Sequence, residues 1–154
     1  MSDLLRHTLA TVAYRGGKVV RDAPPSFADY RCSESGRTPI QILTHINDLL
    51  DWASCLARGE KTWNDTTPQT WDQEVQRFFA SMQRLDQQLA SQPLQCKPER
   101  LFQGPIADAL THVGQMAMLR RMAGAPMRGE NYYVADIAEG RVGAEQAAPK
   151  REFE

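Results

Sequence analysis

No stretch of this 154-residue chain approaches the roughly twenty consecutive apolar residues that a membrane-crossing helix requires. The N-terminal segment also lacks the apolar core of a secretory leader, so the sequence-based expectation is a cytoplasmic protein with no membrane partner. Cysteine is scarce: Cys32, Cys55 and Cys96 are odd in number and far apart, with no CxxC pair. Such a set speaks against a disulfide framework and leaves no evident zinc ligand or nucleophile among them. An excess of charge of one sign is missing too. The 18 basic and 19 acidic residues leave a formal net charge of −1, and the basic ones are scattered, so no electrostatic footprint for nucleic acid is present. Strand-like alternation is absent, which points away from the β and α/β classes.

Helical periodicity is there in quantity. From about Ser2 to Val20, Leu5, Leu9, Val12, Gly16 and Val19 recur at helical spacing, with Ser2 as the expected N-cap. Gly16-Gly17 weakens that helix by about 1 kcal/mol per glycine relative to alanine, a cost that fits the close approach of another backbone or a ligand. Tyr14 and Arg15 beside the pair are read as structural. After a Pro- and Ser-rich loop, Thr38-Pro39-Ile40-Gln41 is a capping box with proline at the first helical position. Ile42, Ile46, Leu49, Ala53 and Leu56 make the stripe of this second helix, and Gly59 ends it. A polar connection from Lys61 to Thr70 carries Trp63. Thr70-Trp71-Asp72-Gln73 then caps a third helix, whose stripe is Trp71, Val75, Phe78, Met82, Leu85 and Leu89. That helix reads as scaffold with no inward titratable group.

The stretch from Gly104 to Gly124 is the one the others are arranged around. Pro105 is expected at the first helical position, and Gly124 followed by Pro126 is a stop signal. Ile106, Leu110, Val113 and Ala117 form one apolar stripe. On another side, Asp108 and His112 lie about 40° apart at 3.6 residues per turn, with Gln115 and Leu119 in the same sector. A carboxylate and an imidazole at i, i+4 can address one common atom. The same spacing also describes a solvated polar face. Met116 and Leu119 continue that side with apolar groups, however, which would draw Asp108 and His112 partly inward, where a carboxylate needs a partner. His45 sits at the edge of the second helix's stripe with Trp52 near it. Alone, it would read as a satisfied core histidine.

Four amphipathic helices predict an all-α four-helix bundle of about residues 1–125, within a single domain of residues 1–154. Long connections after helices one and three leave room for crossovers. The extension 126–154 is expected to be mostly irregular, with Asn131-Tyr132-Tyr133-Val134 packing on the bundle and the chain fraying from Ala147 onward.

A His in a capped second helix, followed by a helix running His112-Val113-Gly114-Gln115 and then Leu119-Arg120-Arg121, resembles the DinB-like (DinB/YfiT) superfamily. The resemblance covers about residues 1–125. It implies a four-helix bundle with a divalent-metal site, formed in the family by one His on the second helix and a His-x-x-x-His pair on the fourth. His45 matches the first ligand and His112 the later one of the pair. Asp108 stands where the earlier His would be. A second registration would make His112 the earlier ligand and put Met116 in the later place, but the Gly-Gln-then-Leu-Arg order fits only the first. The implied ligands are thus His45, Asp108 and His112. Two nitrogens and one oxygen suit Zn²⁺, Ni²⁺, Fe²⁺ or Mn²⁺ and do not choose among them.

Trp52 and Gln115 are candidates for the pocket wall or for holding a ligand in place, with ordinary packing as the alternative for each. Relatives include thiol-dependent S-transferases, isomerases and proteins described only as metal-dependent hydrolases, and they often pair as homodimers. The resemblance therefore implies a metal-dependent enzyme of hydrolase or thiol-dependent S-transferase class acting on a small molecule. The alternative is a non-catalytic small-molecule-binding or stress-associated bundle with a structural or decayed metal site. The substrate is not readable from the sequence.

Overall fold

Four long helices make the body of the computed structural model, which describes residues 2–153 without the side chain of residue 2. They are α1 (Ser2–Val20), α2 (Pro39–Ala57), α3 (Trp71–Ser91) and, after the single turn α4 (Pro98–Leu101), α5 (Ala107–Met122). The expected cap at Ser2 rests on a side chain outside the described residues. The principal neighbours are α1 with α3, α3 with α2, α2 with α5, and α5 with α1. Helices consecutive in sequence therefore lie diagonally across the bundle at the first and third connections, which the lengths of those connections allow. The all-α bundle is as the apolar periodicity predicts.

Local chemistry explains each helix. In α1 the stripe Leu5, Leu9, Val12 and Val19 is buried. Gly16 is needed there because a Cβ would lie 2.6 Å from Cζ of the buried Phe78 ring; the close neighbour is a side chain, neither backbone nor ligand. α2 and α3 both start with complete capping boxes, Thr38 with Gln41 and Thr70 with Gln73, which satisfy free N–H groups at each end. Past α2, Gly59 takes φ +82°, the left-handed conformation that glycine adopts without steric penalty.

Two expectations fail within the helices. Pro105 does not begin the fourth helix. Helical structure starts at Pro98, and Phe102–Ile106 is a wide π-type turn in which Gly104 leaves helical geometry (φ −86°, ψ −106°) before α5 begins at Ala107. Proline supplies no N–H to the ladder, and its ring crowds the carbonyl four residues earlier, so the helix opens there. Nor is α3 free of inward titratable groups: Glu74 and Asp86 are buried. Glu74 accepts from Asn47 Nδ2 (2.8 Å), and Asp86 pairs with Arg6 Nε (3.0 Å). The Pro- and Ser-rich loop likewise contains one 3₁₀ turn, Pro25–Phe27, that delivers Phe27 to the core.

The extension packs on α1. Tyr132 meets Tyr14 edge to face, with Arg15 stacked over its ring, whereas Tyr133 is exposed. Tyr14 and Lys18 both donate to the buried Glu130 carboxylate, and Lys18 also donates to Glu152. Burial and this acidic partner raise the Tyr14 pKa. Fraying from Ala147 onward does not extend to Glu152–Phe153, which pair as β2 with β1 (Gly129–Glu130) in a two-stranded antiparallel ribbon. The shared lysine is what ties the returning chain down. Glu154 lies outside the described residues. Among the described residues, no helix is long and apolar enough to cross a membrane.

Candidate metal centre

α2 presents His45 from its second turn, and α5 presents Asp108 and His112 from its first two turns. Ile42 lines one cavity with Leu119, while Trp52 lines another with Ala107, so the two helices run antiparallel and their facing sides meet at the three residues. The opening of the backbone at Gly104–Pro105 fixes where α5 starts, and hence the direction of Asp108. Its place in the first turn also sets the carboxylate near the positive end of the helix dipole.

The structure brings all three together. Their ligating atoms lie within 4.8 Å of one another, a His-Asp-His group that could hold a metal ion. His112 Nε2 is 3.4 Å from Asp108 Oδ1, and His45 Nε2 is 3.7 Å from Asp108 Oδ2. Both separations exceed ordinary hydrogen bonds, which cluster at about 2.7–3.2 Å. Two ligand atoms sharing a tetrahedral ion with bonds of about 2.0–2.2 Å lie about 3.4 Å apart, so the His112 pair already has that spacing and the His45 pair is somewhat wider. The two imidazole rings stand perpendicular, with centroids 4.8 Å apart, so their edges converge on the carboxylate without stacking on each other.

The protonation pattern suits ligation. Burial, then the neighbouring His112 and Arg37, push His45 below the usual imidazole range, with Asp108 acting weakly against them. The neutral, lone-pair-bearing form is thereby favoured. His112 Nδ1 lies 2.8 Å from Gln115 Oε1. An amide oxygen can only accept, so Nδ1 is the donor in this pair and Nε2 is the ring nitrogen that faces Asp108. Asp108 remains half exposed (side chain 48 %), while the side chains of His45 (23 %) and His112 (13 %) are more enclosed. The group therefore has one side open to small molecules.

Of the two candidate pocket residues, Gln115 hydrogen-bonds directly to His112. Trp52 shares a cavity of about 350 Å³ with Gly104, Ala107 and Asp108. Between Trp52 and His45 stands a residue to which the sequence reading gave no role. Trp63 meets the His45 ring at 5.8 Å and the Trp52 ring at 5.7 Å, both edge to face. Its only signal in the sequence is an indole in an otherwise polar connection. The loop that carries it is pinned from α2: Asp48 accepts from Thr66 N (3.0 Å) and Thr66 Oγ (2.7 Å), and also from Arg77 of α3 (2.6 Å). Gln69 N is held by the buried Glu74 (3.2 Å). The buried carboxylates of α2 and α3 thus act on the site at one remove, by holding the indole wall. Arg37, just before the α2 cap, borders cavities on both the His45 and the His112 side, and no motif in the sequence marks it.

None of the family models, curated proteins and solved structures compared with the chain matches it.

Proposed function

We propose that the chain is a DinB-like metal-binding bundle acting as a metal-dependent enzyme of hydrolase or thiol-dependent S-transferase class. The observation that carries this reading is the convergence of His45, Asp108 and His112 from two helices. His45 and His112 would hold the ion through Nε2 and Asp108 through a carboxylate oxygen. Such an ion supplies a Lewis acid that can lower the pKa of a water molecule or a thiol. The chain's own residues do the rest. Gln115 orients the His112 ring, Trp63 and Trp52 flank the His45 side, and the exposed side of Asp108 leaves room for a small substrate.

The test is a screen of ester hydrolysis and thiol transfer with metal-stripped and metal-reloaded protein, beside His112→Ala. Turnover that requires reloading and vanishes in the variant is expected. Turnover that survives metal removal contradicts the reading.

One feature favours a second, non-catalytic reading: the ligands come from two helices, so an ion would cross-link α2 to α5. Binding to the native state alone raises stability by RT ln(1 + [L]/Kd). In that reading metal raises the melting temperature strongly while no substrate turns over.

A further inference from the structure

Flanking the triad on the His112 side is a groove of about 480 Å³ whose lining combines the polar Arg37 and His112 with the apolar Ile42, Met118, Leu119 and Met122. Met118 and Met122, one turn apart on α5, are 52 % and 53 % exposed. Two large apolar side chains left uncovered beside a candidate reaction centre mark a surface suited to an apolar ligand group, and methionine adapts to irregular shapes. The cation in this lining has no fixed partner. The Arg37 side chain makes no hydrogen bond or ion pair with the described residues, like those of Arg21, Arg100 and Arg121 but unlike those of Arg6, Arg58, Arg77 and Arg84, and of these unpaired arginines it is the one that lines this groove.

Charge sorts the two sides of the site. The cavity on the His45 side also carries Asp48 and Asp65. Asp48 is matched by Arg77, while Asp65 disfavours an anion there. No carboxylate is among the residues that line the groove on the His112 side, where Arg37 is the charged group. A divalent ion held by one aspartate would add one more net positive charge nearby. A guanidinium presents paired N–H donors that fit a planar carboxylate.

We propose that this groove binds a small carboxylate with an unbranched aliphatic tail, the carboxylate on Arg37 and the tail along Met118, Leu119 and Met122. That such a molecule is the substrate rests on the metal-enzyme reading; its binding does not.

Isothermal titration of octanoate into metal-free and zinc-loaded protein tests this, with butyrate, 1-octanol and octylamine as controls and a separate zinc titration of wild type. Expected are octanoate binding in both forms, affinity rising from butyrate to octanoate, at least tenfold weaker binding to Arg37→Ala, and weaker binding to a Met118→Gln, Met122→Gln double variant. Equal affinity in Arg37→Ala, or octylamine binding as well as octanoate, overturns the proposal. Binding confined to the zinc-loaded protein and indifferent to Arg37 also overturns it, since the carboxylate would then sit on the ion. Octanoate binding through Arg37 in a protein that takes no zinc leaves this proposal standing while the metal reading falls. Zinc binding without octanoate binding does the reverse.

Discussion

At the level of single residues, the candidate centre depends on lone pairs aimed at one place. Gln115 contributes by keeping the proton on His112 Nδ1. Removing a partner of this kind typically weakens metal binding by about 10–100-fold, and Gln115→Leu is expected to show such a loss in competition against a chromophoric chelator. An unchanged affinity would mean that the tautomer is set by other means. His45 gives a pH signature. Its folded-state pKa is depressed, chiefly by burial, so as pH falls through about 6.5 the unfolded chain takes up the proton first. Stability linked to this group is complete above that value and is lost as pH falls through the lower folded-state pKa. Metal-free wild type should therefore lose melting temperature between about pH 7 and pH 5 more steeply than His45→Gln; parallel curves would contradict the assignment. The spacing of Asp108 and His112 was legible because i, i+4 on a helix is a fixed geometry. Trp63 was not, because a polar loop carries no period from which a side chain's direction can be read.

Among the elements, the capping boxes of α2 and α3 and the apolar stripe of α1 follow directly from the sequence. The neighbouring glycines of α1 separate two kinds of constraint. A Cβ at Gly16 would meet the buried Phe78 ring at 2.6 Å, while one at Gly17 would find ordinary contact at 3.6 Å from Phe79. Gly16→Ala should cost about 1–3 kcal/mol by overpacking, and Gly17→Ala should gain about 0.5–1 kcal/mol in helix propensity. Urea denaturation of the two variants would show opposite signs. The π-type turn before α5 was misread because proline at a first helical position and proline interrupting a longer helix share the same local sequence; the decision lies in the helical residues Pro98–Leu101 upstream. The inward acids of α3 escaped notice for a related reason. Glu74 is buried because Asn47 and the backbone of Gln69 donate to it, and neither partner is visible from the helix's own periodicity.

Over the whole molecule, the last residues return to the first helix through one carboxylate. Glu130 accepts from both Tyr14 and Lys18, and its side chain has no solvent exposure. Glu130→Ala leaves the Tyr14 hydroxyl enclosed without its acceptor and Lys18 with Glu152 alone, and is expected to cost about 1–3 kcal/mol, measured by chemical denaturation. A loss within 0.5 kcal/mol, about the size of an ordinary surface substitution, would show that the extension is not fastened there. The compositional bias of residues 126–154 suggested a loose end, and only tertiary contacts with α1 could say otherwise. The bundle itself was legible because four separate stripes must be buried against one another, and the candidate site because two of those helices carried its ligands.

The metal content of untagged protein, measured by elemental mass spectrometry after dialysis, wild type beside Asp108→Ala, tests the proposed ligation most directly. Asp108 is the proposed carboxylate ligand, and its substitution removes a half-exposed side chain, so the bundle should persist. Near-stoichiometric transition metal in wild type, lost in the variant while the helical circular dichroism stays the same, is the predicted result. Metal retained by Asp108→Ala, or absent from both proteins after incubation with zinc, nickel, iron and manganese salts, would contradict it.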